Sequence, residues 1–192
     1  IFKSMPEAFN ADGFLEMADV SFFPYGNARE TKSSSGWDFS CQHGHVECEY
    51  NLVETCGINK IEDGLTRFNY ISCVEEKVSG TNYDSVVSTC AKQAGVESLT
   101  QDILTCYKGS EGNTLEHAIA QATDSLSPSH QYVPWITVDG VHDTTKEDAI
   151  GDSLLDFVCA NYTGPNKSKD CPSTKVFKKA VIEKCPVENN FL

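Results

Sequence analysis

The chemistry open to this chain is decided by its nine cysteines, at positions 41, 48, 56, 73, 90, 106, 159, 171 and 185 of 192 residues. Thioredoxin-type dithiol exchange needs two cysteines three positions apart at a helix N-terminus. There the helix dipole lowers the pKa of the attacking thiol, and the second thiol resolves the mixed disulfide. Successive cysteines here are separated by 7, 8, 17, 17, 16, 53, 12 and 14 positions, so no such pair occurs within these residues. Two other uses remain. One is structural disulfides in an oxidising compartment. The other is metal ligation, for which Cys41, His43, His45 and Cys48 have side chains and spacing suited to zinc. A hydrolase would need a positioned nucleophile with a base, but Gly-x-Ser-x-Gly is absent and the five histidines accompany no such element. His117 is expected on a helix surface and His142 in a turn.

Composition narrows the class further. With 28 acidic against 15 basic residues the formal net charge is −13, which excludes a nucleic-acid partner, favours basic protein partners and disfavours anionic membranes. Lys175, Lys178 and Lys179 read as a solvated helix face. No run of 18 apolar residues exists, so no membrane span is expected. Two sequons, at Asn161 and Asn166, mark candidate glycosylation sites and agree with a secretory route. The chain opens on Ile1 without a visible signal peptide and reads as a processed or trimmed product. Its expected location is extracellular, with the lysosomal lumen as the alternative.

These residues need elements to hold them. Ile1 to Ala18 should form one or two short helices, interrupted by Pro6 and Gly13. Val20 to Phe23 favours a strand ended by the turn Pro24-Tyr25-Gly26-Asn27, and Thr31 to Gly36 reads as a polar loop. From His45 to about Ser125 the pattern is helical: Leu65, Phe68, Ile71 and Val74 form one stripe, Val86, Val87, Cys90 and Ala94 another. Asn82 is a candidate cap, Gly95 and Gly109 are stop signals, and Ser98 with Gln101 suggests a capping box. Leu115, Ala118, Ile119 and Ala122 describe a further helix. Tyr132 to Val138 is a strand, Asp139-Gly140 a tight turn, and Val141 to Thr144 the return strand. Lys146 to Tyr162 reads as one helix through Ile150, Leu154, Phe157 and Val158, and a short helix should run to about Cys185. Spacing suggests the disulfides Cys73–Cys90, across a helical hairpin, and Cys159–Cys171.

Cys41 to Cys56 reads Cys-Gln-His-Gly-His-Val-Glu-Cys-Glu-Tyr-Asn-Leu-Val-Glu-Thr-Cys. This resembles the signature of the gamma-interferon-inducible lysosomal thiol reductase family, with Cys41, Gln42, His43, Gly44, Glu47, Cys48, Asn51 and Cys56 at its fixed positions. Pro24-Tyr25-Gly26-Asn27-Ala28 and Tyr132-Val133-Pro134-Trp135 agree with the same family. The resemblance implies structural disulfides for Cys41 and Cys48, a cis peptide at Val133–Pro134, and a thioredoxin-like fold with a helical insertion. It also implies that the catalytic Cys-x-x-Cys belongs after a first strand ahead of Pro24; only about twenty residues precede Val20, and none is cysteine.

The expected fold class is therefore α/β: a truncated thioredoxin-like fold, lacking the first strand and catalytic motif, with an all-helical insertion. Residues 1–30 and 128–162 would form the incomplete core, 31–127 the insertion, and 163–192 a tail carrying Cys171 and Cys185. Cys185, outside the resemblance, is expected to remain a thiol or to link two chains in a disulfide-bonded dimer. The expected function is a non-catalytic binding protein for a protein or cell-surface partner, with no cofactor, similar to catalytically depleted family relatives of mosquito saliva. The alternatives are a thiol reductase whose catalytic segment lies outside these residues, and a zinc-binding protein.

Overall fold

A computed structural model describes residues 3–173 and 184–187. In chain order its elements are α1 (Met5–Asn10), α2 (Phe14–Met17), strands β1 (Arg29–Ser33) and β2 (Gly36–Ser40), α3 (His45–Lys60), α4 (Gly64–Lys77) and α5 (Tyr83–Gln93). After a 3-10 turn at Glu97–Leu99 come α6 (Thr100–Tyr107), α7 (Ser110–Asp124), β3 (Tyr132–Val133), β4 (Thr137–Val138) and β5 (Val141–His142). Helices α8 (Thr144–Asp152) and α9 (Leu154–Asn161) and strand β6 (Cys185–Pro186) follow. This is a mixed helix and strand fold with small sheets. Among the described residues no helix is long and apolar enough to cross a membrane. The chain divides into two units, Ile1–Ser21 with Pro134–Cys185, and Phe22–Val133 with Pro186–Leu192. These boundaries differ from the 30/31 and 127/128 divisions read from sequence.

The larger unit, residues 22–133 with 186–192, is built on α3 to α7. Apolar residues at helical spacing put Val53, Ile61, Tyr70, Val74, Val87 and Ile103 into one buried cluster. Asp63 caps α4 by accepting the Thr66 N–H at 2.8 Å. Helices α3 and α4 meet where Gly57 faces the Tyr70 ring; a Cβ at Gly57 would collide with that ring. Three disulfides reinforce the unit: Cys41–Cys48, Cys56–Cys106 joining α3 to α6, and Cys73–Cys90 joining α4 to α5.

Several local expectations are corrected here. Val20 to Phe23 forms no strand; instead Phe22 stacks on Phe68, with centroids 6.4 Å apart. The segment read as a loop, Thr31 to Gly36, belongs to the antiparallel hairpin β1–β2, with Arg29 opposite Ser40 and Ser33 opposite Gly36. Its pairing is secured from α7, where Asn113 donates to the Trp37 carbonyl (2.7 Å) and accepts its N–H (2.9 Å). Asn82 occupies the cap position of α5 without a side-chain cap bond. The Ser98–Gln101 box does not form, because the 3-10 turn ends at Leu99 and α6 starts at Thr100.

The smaller unit, residues 1–21 with 134–185, packs α1, α2, α8 and α9 around Phe9, Phe14, Ile150, Leu154 and Leu155, with the Phe9 and Phe14 rings 5.4 Å apart. Its hairpin β4–β5 turns through Asp139 and Gly140, both at positive φ (53° and 77°), as the Asp-Gly pair predicts. The expected long strand is interrupted after Val133, leaving β3 and β4 as two-residue pieces. The single helix expected from Lys146 is two helices. Ser153, extended at φ −161°, breaks the run and caps α9 by accepting the Asp156 N–H. Cys159–Cys171 is formed. The cis peptide among the described residues is Ser127–Pro128, not Val133–Pro134. Extended backbone before a proline suits either isomer, so the strand context did not decide the matter. Lys175, Lys178, Lys179 and the helix expected up to Cys185 lie outside the described residues.

Candidate functional site

Every fixed residue of the Cys41–Cys56 signature has a defined task along α3 or just ahead of it. Gly44 holds the N-cap position at φ 90°, a conformation that favours glycine. Glu47 reaches back from the first turn to accept the His43 N–H at 2.7 Å and lies 3.2 Å from the His43 ring Nδ1. Gln42 accepts from Asn27 Nδ2 (2.6 Å) and donates to the Pro186 carbonyl (3.2 Å), clamping the Pro24–Asn27 turn. Asn51 donates to the Tyr25 carbonyl at 3.3 Å. Cys41, Cys48 and Cys56 are in disulfides. The zinc reading is thereby overturned: Cys41 and Cys48 are bonded to each other, and among the described residues no group of three or more potential ligands is placed to hold a metal.

Three of these residues, His43, Glu47 and Asn51, line a cleft of about 420 Å³. Glu47, Tyr50, Asn51 and Glu54 recur at helical spacing on one stripe of α3, with His43 just ahead of the helix. The opposing walls are Pro24 to Gly26 and, from α4, Glu75 with Val78 just beyond it. Glu54 is 5% exposed, and its Oε1 has no hydrogen-bond partner among the described residues. Burial pushes its carboxyl well above the usual carboxylate range, and the charge and hydrogen bond of the Glu75 carboxyl push in the same direction. No ion pair joins Glu54 to a cation among the described residues.

A second buried carboxyl, Glu116 on α7, accepts from the Thr55 hydroxyl at 2.7 Å and is pushed up to about 8, chiefly by burial. Beside it His117 lies 2.8 Å from both Glu30 oxygens and stacks on Trp37 with centroids 3.7 Å apart. His117 is thus half-buried against the hairpin, not displayed on a helix surface. In the smaller unit Glu147 is fully buried, yet it is fully provided for. Lys184 Nζ stands 2.9 Å away, His142 Nδ1 3.6 Å, and the Ile136 N–H donates at 3.2 Å. His142 belongs to β5, where it stacks on Trp135 at 3.5 Å. Sequence reasoning missed Glu54, Glu116 and Glu147. For Glu54 the available signal was its position seven residues after Glu47 on the signature's own stripe. Asn161 and Asn166 are both exposed, and Cys185 lies in β6, outside the four disulfides.

Comparison with known proteins places these features in a wider group. Residues 1–94 match the family described as "Gamma interferon inducible lysosomal thiol reductase (GILT)". A mouse protein named gamma-interferon-inducible lysosomal thiol reductase is 36% identical over 161 residues, covering 83% of this chain and 60% of the mouse protein. A goldfish (Carassius auratus) protein of the same name is 34% identical, covering 78% of this chain and 57% of its own length. An Arabidopsis thaliana protein named gamma-interferon-responsive lysosomal thiol protein is 30% identical over 178 residues, covering 91% of this chain and 70% of its own. The chain thus spans about three fifths of the length of the mouse and goldfish relatives.

Proposed function

The chain belongs to the gamma-interferon-inducible lysosomal thiol reductase family, and we propose that these 192 residues act in it as a disulfide-locked partner-binding chain rather than as an electron-transfer centre. One observation carries the reading. All six cysteines of the larger unit are in disulfides, and each is at most 6% exposed. A disulfide that exchanges with a substrate must offer a sulfur to an incoming thiolate, and these sulfurs are covered. Four disulfides fit an oxidising compartment, extracellular or lumenal. The exposed Asn161 and Asn166 are read as glycan acceptors there. The smaller unit, with its Thr137–His142 hairpin followed by α8 and α9, is read as the remnant of a thioredoxin-like core.

The test is an insulin-reduction assay on the 192-residue chain at pH 5 and pH 7 with dithiothreitol recycling. Turbidity no faster than in buffer alone is expected. Turnover above buffer would contradict the binding reading. A second reading, a reductase whose Cys-x-x-Cys lies outside these residues, is favoured by the shared length: the chain spans 60% of the mouse protein, whose name is that of a thiol reductase. Codons for Cys-x-x-Cys upstream of Ile1 in the transcript would support it.

A further inference from the structure

We infer that the signature cleft binds a cationic, N–H-donating side chain of a protein partner, best matched by arginine, with Glu54 as the buried anchor. This deepens the partner-binding reading and rests on it. The starting point is an acceptor with nothing to accept. Glu54 lines the cleft, is 5% exposed, and leaves Oε1 without a partner among the described residues. Leaving a buried acceptor unmet costs about 1–3 kcal/mol, so such groups call for a ligand or a structural reason.

The chain shows elsewhere how it satisfies a buried glutamate. Glu147 is met by a lysine ammonium, an imidazole and a backbone N–H. Among the described residues the titratable groups facing Glu54 are Glu75 and Tyr70 from α4 and Glu116 from α7, all of them acids. Among the described residues none brings a cation to Glu54, which leaves that place to a side chain of the partner.

The shape and chemistry of the cleft select among cations. Its volume, about 420 Å³, falls within the range of roughly 300–1,000 Å³ typical of ligand sites. Among the described residues no set of three ligands could hold a metal ion, and an anion would meet Glu47, Glu54 and Glu75 together. A planar guanidinium can donate to Glu54 and Glu75 at once and present its face to the Tyr50 ring, which an ammonium does less well. The net charge of −13 would steer a basic partner toward the chain. On entry, the guanidinium N–H groups take the place of the Glu54 proton, which passes to solvent.

The experiment is an NMR titration of the 15N-labelled 192-residue chain at pH 7 with N-acetyl-arginine methylamide, using N-acetyl-citrulline methylamide as the uncharged isostere. Saturable shifts are expected at the amides of Gly26, Glu47, Asn51 and Glu54 with the arginine compound alone. Glu54→Gln should weaken the binding at least tenfold, and Glu62→Gln, at an exposed position away from the cleft, should leave it unchanged. Should Glu54→Gln fold poorly, Glu75→Gln at the exposed wall serves as the second variant and should also weaken binding. Equal shifts from both compounds, shifts scattered over the acidic surface, or undiminished binding by both variants would overturn the inference. Its failure leaves the insulin assay silent, whereas insulin turnover would contradict the binding reading without moving these amides.

Discussion

Glu147 and Glu54 are both buried glutamates, one in each unit, and they are treated in opposite ways. Glu147 sits with Lys184, His142 and the Ile136 N–H, so its carboxylate is compensated within the smaller unit. Glu54 has a second carboxyl, Glu75, as its neighbour, and Glu116 adds a further acid from α7. A buried charge without a partner costs several kcal/mol, which a carboxyl avoids by holding its proton. The smaller unit therefore keeps a buried ion pair, while the larger unit keeps buried carboxyls whose pKa is raised. The larger unit can tolerate them because its framework is heavily braced, with three disulfides against one.

Removing that bracing gives the largest expected effect. Cys56→Ala with Cys106→Ala opens a link of sequence separation 50 and should cost about 4 kcal/mol, against about 3 kcal/mol for opening Cys159–Cys171 at separation 12. Urea unfolding would measure both, with hydrogen exchange assigning each loss to its unit. Next, Lys184→Met should cost about 3 kcal/mol by leaving Glu147 under-compensated, and adding Glu147→Gln should recover most of it. If Lys184→Met alone is neutral, the contrast between the two glutamates disappears.

The pH dependence comes third. Glu54 and Glu116 have folded-state pKa values raised above the unfolded value, Glu116 to about 8. At pH between the unfolded and folded values the native state binds more protons than the unfolded state. The stability Glu116 contributes is therefore fully present below about pH 4.5 and is lost as pH rises through about 8, and Glu54 acts in the same direction. Hydrogen exchange in the larger unit should accelerate relative to the smaller one from pH 5 to pH 8, beyond the intrinsic change, by on the order of 2 kcal/mol. Glu54→Gln with Glu116→Gln should flatten this slope. The smallest effects are the caps: Asp63→Ala and Ser153→Ala should each cost about 1 kcal/mol, the first in the larger unit and the second in the smaller. Circular dichroism melts of the two variants would check them.

What could be read from sequence follows the same division. The helices of the larger unit were legible because Leu65, Phe68, Ile71 and Val74, and the Val86–Ala94 stripe, repeat at helical spacing. The β1–β2 hairpin was not, because Arg29-Glu30-Thr31-Lys32-Ser33 carries no apolar alternation. Its pairing depends on Asn113 and His117, which reach it from α7. The break at Ser153 was hidden because Ile150, Leu154 and Phe157 keep the helical period across it. The signature itself was visible, and so was the pair Cys73–Cys90. The cleft was not, because the position of Glu54 on the same stripe as Glu47 does not say whether another element closes over it. Only the approach of α4, which Gly57 permits, buries it.

The central claim is that Glu54 is a neutral, buried acid awaiting a cation. Its carboxyl 13C shift, followed by NMR between pH 3 and pH 9 with and without N-acetyl-arginine methylamide, tests this directly. A titration midpoint well above the ordinary carboxylate range is expected in the chain alone, with a clear fall when the arginine compound is present. A midpoint near that of an exposed glutamate, or one that the arginine compound leaves unmoved, would contradict it.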